Sequence, residues 1–396
     1  MRSLAAYLGM MLFIALLPRV ASAQQECHGP RGGDGCATSS TTGFPIFSYA
    51  PETSAAFGGF GVHYFRLGEA PVEARPSYLA ADALYTFRNQ ALVDLFPTFW
   101  FGPSLTRAES RRVLRGLEDG ELSEHDRWWL FERHSITGQV AYRLMPDYFY
   151  GVGPNTNEAN EELYTMHSFW DFMDFRTRVW GPLMVGVRQE FQLSQVRDVN
   201  PTGLLAGTRG VEGGVRSGLG LSVVWDSRDN LQSAHTGAFH QAFAITYPGF
   251  LGSRFHFTHI NIDLRQYVQL APHHVLAMQL YADFNMGDVP FDQLSLLGGN
   301  ARMRGSYMGR YRDNDYLAAQ VEWRIMPVVW RFGLVFFAGI GGVAPTIAEF
   351  RATELKMSLG GGIRFALDEA ERIYVRLDVG CSTDGCAPYV NALEAF

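Results

Sequence analysis

The chain has 396 residues, with 33 Lys and Arg against 40 Asp and Glu. That mild acidic excess argues against a nucleic-acid partner, and four cysteines in such a length do not make a disulfide scaffold. Beyond the first residues no stretch approaches the roughly 20 apolar residues of a helical membrane span. The 42 glycines and the 29 Phe, 17 Tyr and 8 Trp spread along the chain point to many strands instead.

The chain opens with basic Arg2, an apolar run from Leu4 to Leu17 and the small-x-small site Ala21-Ser22-Ala23. This pattern is a secretory signal peptide, residues 1–23, too short to span a membrane. Gln24 follows the expected cleavage point, so lipidation on a cysteine is not expected. Residues 24–43 carry Cys27, Gly32-Gly33, Gly35, Cys36 and a Ser/Thr run, and read as a short periplasmic linker. In an oxidising compartment Cys27 with Cys36, and Cys381 with Cys386, are disulfide candidates. Cys27, His28 and Cys36 lack a fourth ligand at a usual spacing, so no metal is expected there.

From residue 55 the pattern is strand after strand. Expected strands are 55–66, 77–89, 91–101, 126–143, 146–152, 162–178, 181–197 and 214–228. They continue at 237–248, 254–270, 273–286, 315–326, 330–342, 354–365, 371–380 and 387–396, sixteen in all. Alternation is clearest late in the chain. Leu317, Ala319, Val321, Trp323 and Ile325 oppose Tyr316, Gln320, Glu322 and Arg324, and Ile373, Val375, Leu377 and Val379 oppose Arg372, Tyr374, Arg376 and Asp378. Arg364 shares the polar face of its strand with Lys356 and Ser358.

A soluble sandwich also alternates. The strands here are longer than the usual five or six residues, and their polar faces carry Asp, Glu and Arg, as a wet lumen would. Trp128-Trp129, Tyr247, Tyr267, Trp323 and Trp330 stand near strand ends, as in an interfacial girdle. The fold expected is all-β: a sixteen-stranded antiparallel transmembrane β-barrel over residues 44–396, closed because an open edge does not survive in lipid.

An even strand number places both termini on the periplasmic side. Short turns at 90, 144–145, 179–180, 229–236, 271–272, 327–329 and 366–370 then face the periplasm. The longer segments 102–125, 153–161, 198–213 and 287–314 face outward. Segment 102–125, rich in Arg and Glu, reads as a surface cap. Segment 297–316, LGGNARMRGSYMGRYRDNDY, holds four arginines and three tyrosines and has no period of its own.

In its Arg304-Gly305 pair, with an aromatic at Tyr307, this segment resembles the lid loop of the bacterial surface-antigen (Omp85) superfamily. Trp225-Asp226-Ser227-Arg228-Asp229-Asn230 with Gly237 is similar to that family's Asp-x-Arg-Asp-Asn turn. Leu297-Gly298-Gly299 resembles the lead into the lid, and Val321-Glu322-Trp323-Arg324 the strand after it. Phe47-Ser48-Tyr49 and Pro51-Glu52-Thr53 resemble the first strand of members without periplasmic POTRA domains. The resemblance runs from about Phe44 to Phe396. It implies that the lid folds into the lumen, where Arg304 pairs with an acid on the wall. Glu322 and Asp378 lie on inward faces, and Arg324 and Arg364 share the lumen with them.

Two departures stand out. Ser306 follows Arg304-Gly305 where an aromatic is usual, and Gly339 replaces a family acid, which implies a latch that is shallower or uses fewer carboxylates. Arg302, Arg310 and Arg312 lack the following glycine and are expected nearer the surface. Phe396 resembles the terminal aromatic by which outer-membrane barrels are recognised for assembly.

The chain has no G-x-S-x-G elbow, H-E-x-x-H or Walker loop, so an enzyme is not expected, and no cofactor is implied. His259 faces the lumen near Asp263, where structural filling is the simpler role. Two functions remain. One is insertion or translocation of polypeptide through a seam between strands 55–66 and 387–396, with client polypeptides or a separate periplasmic partner. The other is a structural, anchor or pore-forming barrel. Either would sit in the bacterial outer membrane among lipid and lipopolysaccharide, placed there by the outer-membrane assembly machinery.

Overall fold

The computed structural model describes residues 39–67, 75–102, 115–116, 129–369 and 372–396. The signal segment, Cys27, Cys36, Trp128 and most of the charge-rich segment 102–125 lie outside the described residues. Sixteen strands close an antiparallel barrel, and two short ones pair within the long loop. The first half of the wall is β1 (Ser39–Ala50), β2 (Ser54–Phe65), β3 (Ser77–Thr86), β4 (Ala91–Phe101), β5 (His134–Phe149), β6 (Glu162–Trp180), β7 (Leu183–Arg197) and β8 (Gly214–Asp226). β9 (Gly237–Thr246), β10 (Phe257–Ala271) and β11 (His274–Gly287) lead to the loop strands β12 (Ser295–Leu297) and β13 (Tyr311–Asp313). β14 (Asp315–Val329), β15 (Phe332–Ala344), β16 (Lys356–Asp368), β17 (Ile373–Ser382) and β18 (Gly385–Ala392) complete the barrel.

The side-chain pattern rules out a soluble sandwich. On β8, Leu219, Leu221 and Val223 are 50%, 67% and 45% exposed, while Ser222 between them is 2% exposed. On β17, Leu377 and Val379 face out and Arg376 and Asp378 are buried. Apolar residues outside and charges inside match a lipid-facing wall around a polar lumen. Trp323 and Trp330 belong to the outer surface, whereas Tyr247 and Tyr267 are buried. These two are not girdle residues. Tyr267 follows Asp263 and Arg265 at steps of two, and so shares their inward face.

The strand number agrees with expectation, but two differences offset each other. β1 lies partly in the segment expected to be linker, pairing with β2 from Ser39↔Phe65 to Ala50↔Ser54. A run of Ser and Thr has no apolar contrast, so it shows no period. Residues 134–149 are one strand where two were expected: Leu144 and Met145 pair with His167 and Met166 inside the β5–β6 ladder. Pro146 suggested a break. It lies beyond the last β4 partner, Ala91↔Leu144, where one side of β5 has no ladder and a proline is tolerated.

Missing one strand and dividing another inverts the direction of everything between them. The turn at 87–90 therefore shares the lid's end of the barrel: the Arg88 guanidinium lies 5.2 Å from the Tyr148 ring and 5.8 Å from that of Tyr307. The connection between β4 and β5 leaves the opposite end, where Arg75 meets Glu132 at 3.5 Å and Asp226 at 3.7 Å.

Candidate functional site: the lid and its lumenal charge ring

The loop between β11 and β14 is held at its base by the β12–β13 ladder, Leu297 facing Tyr311. Leu297, Met303, Tyr311, Tyr316, Ala318 and Val343 form an apolar cluster under the turn that follows. This cluster aims Arg304 across the lumen at β14 and β17. Gly305, at φ +109°, permits the tip to turn, and a Cβ there would meet the Cys381 and Ser382 backbone at 2.7 Å. Gly380 is the complementary clearance on the wall: its Cβ would lie 2.6 Å from the Arg304 carbonyl carbon.

Arg304 is fully buried. Its Nη1 donates to Asp378 Oδ2 at 2.7 Å and its Nη2 to Glu322 Oε1. The guanidinium lies 3.5 Å from the Phe337 ring centroid. The Gly305 N–H donates to the Tyr389 hydroxyl at 2.9 Å, and Ser358 Oγ donates to the Arg304 carbonyl. Two carboxylates and a ring thus enclose the Arg304 side chain. Glycine at 339 leaves room for Met303, whose Sδ would lie 3.5 Å from a Cβ there.

Arg324 and Arg364 complete the acids' coordination. Arg324 Nε donates to Glu322 Oε2 at 3.0 Å, and Arg364 Nη1 to Asp378 Oδ1 at 2.5 Å. Arg376 adds a third contact to Asp378 at 3.2 Å. Both arginines also reach Glu394, at 4.0 Å from Arg324 and 2.9 Å from Arg364. Breaking a buried pair of this kind from one side typically costs about 3–5 kcal/mol.

The rest of the lid is anchored by Asp147 and Asp384, which no motif marked, and by Glu52 of the Pro51-Glu52-Thr53 stretch. Tyr307 donates to Asp147 at 2.8 Å, Met308 N–H to Glu52 at 2.7 Å, and Tyr311 and Ser306 to Asp384, each at 2.7 Å. Nearer β11, Asp292 accepts both Nη groups of Arg216, at 2.6 and 3.1 Å. Lumenal facing is readable by parity. The partner across the barrel is not.

Of the other lid arginines, Arg310 and Arg312 are buried and Arg302 is partly buried. Arg312 is 2% and Arg310 8% exposed, with Arg310 bonded to Thr156 and Arg312 to the Tyr148 carbonyl. The Arg302 guanidinium stands 3.8 Å from the Tyr281 ring centroid. His259 pairs with Asp283 at 2.7 Å, while nearby Asp263 is held by Arg265 and Gln279. Among the described residues no grouping of His, Cys, Asp or Glu is suited to a metal ion.

The turn motif is conformational. Arg228 makes two bonds to Asp226, at 2.9 and 3.1 Å, and Asp229 Oδ1 accepts the His235 and Thr236 N–H groups. Asn230 accepts from Gln232 and Ser233, both at 2.8 Å. Arg372 crosses from the β16–β17 turn to Asp229 Oδ2 at 2.6 Å. Burial raises the Asp229 pKa, but the Arg372 bond and the two N–H groups outweigh it and leave the carboxyl below its usual range. Cys381 and Cys386 are joined across the β17–β18 hairpin, whose tip presents Asp384 to the lid.

Phe396 does not end a terminal strand. β18 stops at Ala392, and Leu393, at φ +65°, turns the chain inward. Phe396 is buried against Ala234, Tyr267 and Ala277.

Residues 192–368, from within β7 to the end of β16, match the model of the Omp85 superfamily domain. The chain carries an Omp85 superfamily domain. No curated protein matches the sequence. Among solved structures the fold is similar to BamA from Haemophilus ducreyi lacking POTRA domains 1–3, with TM-score 0.57 and 12% identity, over 90% of this chain and 70% of that one. CdiB from Acinetobacter baumannii gives 0.52 at 9% identity, over 90% and 60% of the two chains. CdiB from Escherichia coli gives 0.53 at 8%, over 90% and 63%. This chain therefore spans less than two thirds of either CdiB chain. At these identities the likeness is one of fold. The Omp85 domain contains the turn motif, the lid and Glu322, while Asp378 and Glu394 lie beyond the match. Omp85 domain and barrel fold together imply a bacterial outer membrane.

Proposed function

We propose that this barrel inserts or translocates polypeptide at the outer membrane, using the edge between β1 and β18 and governed by the lid. The seam differs from the expected one, because β1 precedes the strand taken as first. β2 lies between β1 and β3, paired with β1 along its whole length and with β3 from Ala56 to Phe65.

One observation carries the reading. β1 meets β18 at a single Cα pair, Tyr49↔Val390, although the strands are 12 and 8 residues long. On its other side β1 pairs with β2 along its whole length. A strand edge left without a ladder is a template for another strand, whose main-chain groups it can bond directly. The lid adds support, since a lumen crossed by fixed ion pairs is poorly suited to free diffusion of solutes.

The test is quantitative outer-membrane proteomics after depletion, with complementation by wild type or by the doubly substituted Tyr49→Cys/Val390→Cys chain. Selective loss of one or a few barrels or surface proteins is expected, with rescue by wild type and by the locked chain only under reductant. Wild type under the same reductant controls for the Cys381–Cys386 bridge. An unchanged profile on depletion would instead favour a structural, anchor or pore-forming role.

A further inference from the structure

The lid arginine is one vertex of a closed ring of alternating charge. Arg304 bonds Glu322, Glu322 bonds Arg324, and Arg324 stands 4.0 Å from Glu394. Glu394 bonds Arg364 at 2.9 Å, Arg364 bonds Asp378 at 2.5 Å, and Asp378 returns to Arg304 at 2.7 Å. The lid supplies one member and the segment after β18 supplies the member opposite. The four between them ride on β14, β16 and β17.

The segment after β18 is docked by more than Glu394. The Leu393 N–H donates to the Tyr374 carbonyl at 2.8 Å. Arg324 Nη2 donates to the main-chain oxygen of Phe396 at 2.8 Å, and its guanidinium lies 5.3 Å from the Phe396 ring. A cavity of about 140 Å³ lies along the segment, lined by Arg228, Arg265, Tyr267, Glu394 and Phe396. The segment is thus held on its wall side and has free space beside it. It also follows directly from the strand whose far edge meets β1 at one pair.

We infer that Glu394 couples the lid to the end of the seam strand, so that undocking of residues 393–396 and lifting of Arg304 favour one another. The physical reason is charge balance. With Arg376, four arginines face three side-chain carboxylates in the cluster, and Arg324 also holds the main-chain oxygen of Phe396. Withdrawing the segment removes Glu394 and the Phe396 oxygen together and leaves four arginines facing two side-chain carboxylates in a dry site, where uncompensated charge is costly. Three of the arginines are fixed to strands and only Arg304 is on a loop, so Arg304 is the cation that can leave. By linkage, lid release must weaken docking of the segment by the same factor. The coupling stands on the ring alone. Its use in opening the seam rests on the polypeptide-handling reading.

The experiment uses the full-length folded barrel in detergent or bilayer and measures thiol-labelling rates. Met303→Cys, buried at 1%, reports lid lifting, and Ala234→Cys, buried at 2% beneath Phe396, reports undocking of the segment. Glu394→Gln is expected to raise labelling at 303 on the order of tenfold, the range of ordinary coupling between sites. Arg304→Gln should raise labelling at 234 by a similar factor. Phe396→Ala, which keeps the charge but loosens the segment, should raise labelling at 303 less, and carries the test if Glu394→Gln does not fold. Labelling at 303 indifferent to changes at 394 and 396 would overturn the coupling while leaving the handling reading intact. An unchanged proteome on depletion would do the reverse.

Discussion

Glu322 accepts from two arginines, Arg304 and Arg324, in a site with no solvent exposure. Replacing it by glutamine keeps the shape and removes the charge. Four arginines would then face only Asp378 and Glu394. Two charge-assisted bonds worth about 1.5–3 kcal/mol each become ordinary ones, and Arg304 keeps a single carboxylate partner. A destabilisation of about 3–5 kcal/mol is expected, as for other buried pairs broken from one side. Arg304→Gln also breaks two bonds, but Glu322 keeps Arg324 and Asp378 keeps Arg364 and Arg376, so it should cost only about 1–2 kcal/mol. The ranking follows from charge balance, because a simple tally of contacts, with the Phe337 ring counted, would make Arg304→Gln the costlier change. Urea unfolding from phospholipid vesicles, followed by heat-modifiable gel mobility, measures both. Equal costs, or a larger cost for Arg304→Gln, would refute the charge-balance argument.

Gly380→Ala places a methyl 2.6–2.7 Å from the Arg304 backbone and Cβ. It should cost about 1–3 kcal/mol by overpacking and speed proteolysis within the lid, without altering the Cys381–Cys386 bridge seen by mass analysis. Asp292→Asn leaves Arg216 buried without its carboxylate, and should destabilise by about 3–5 kcal/mol in the same unfolding assay. Serine at both Cys381 and Cys386 should cost about 2 kcal/mol, small because the closed loop is short, and raise exchange of the Gly305 amide if the hairpin positions Tyr389. For Asp229, whose carboxyl is held below its usual range, the stabilisation is fully present above about pH 4 and is lost as pH falls through the lowered value. Arg372→Gln should therefore lower Tm at neutral pH and lose that deficit in strong acid; a deficit that is constant with pH would assign it to packing.

What the sequence by itself determined was local. Side-chain alternation has a fixed period of two, so a strand with Leu377 and Val379 on one face must put Arg376 and Asp378 on the other, whatever surrounds it. That rule, with the length and number of the strands, carried the barrel class and the inward side of β14, β16 and β17. Where contrast vanishes, in the Ser/Thr run of β1, or where a proline interrupts it, at Pro146 in β5, the period says nothing. Two such places shifted the seam and inverted the direction of β2 to β4.

Only the tertiary structure decided which inward residues meet. Arg304 lies 74 residues from Asp378, a pairing anticipated through the family resemblance and not from any local pattern, and Tyr307 lies 160 from Asp147. Closure of the sheet brings them across a shared lumen, and no local pattern encodes that distance. Glu394 shows the same limit most plainly. Alternation continued through residue 396 would make it one more strand position, and only the backbone turn at Leu393 carries its carboxylate inward to Arg364. Periodicity reports which way a side chain faces along a strand, whereas a buried ion needs its partner in three dimensions, and that partner is supplied by the closure of the barrel.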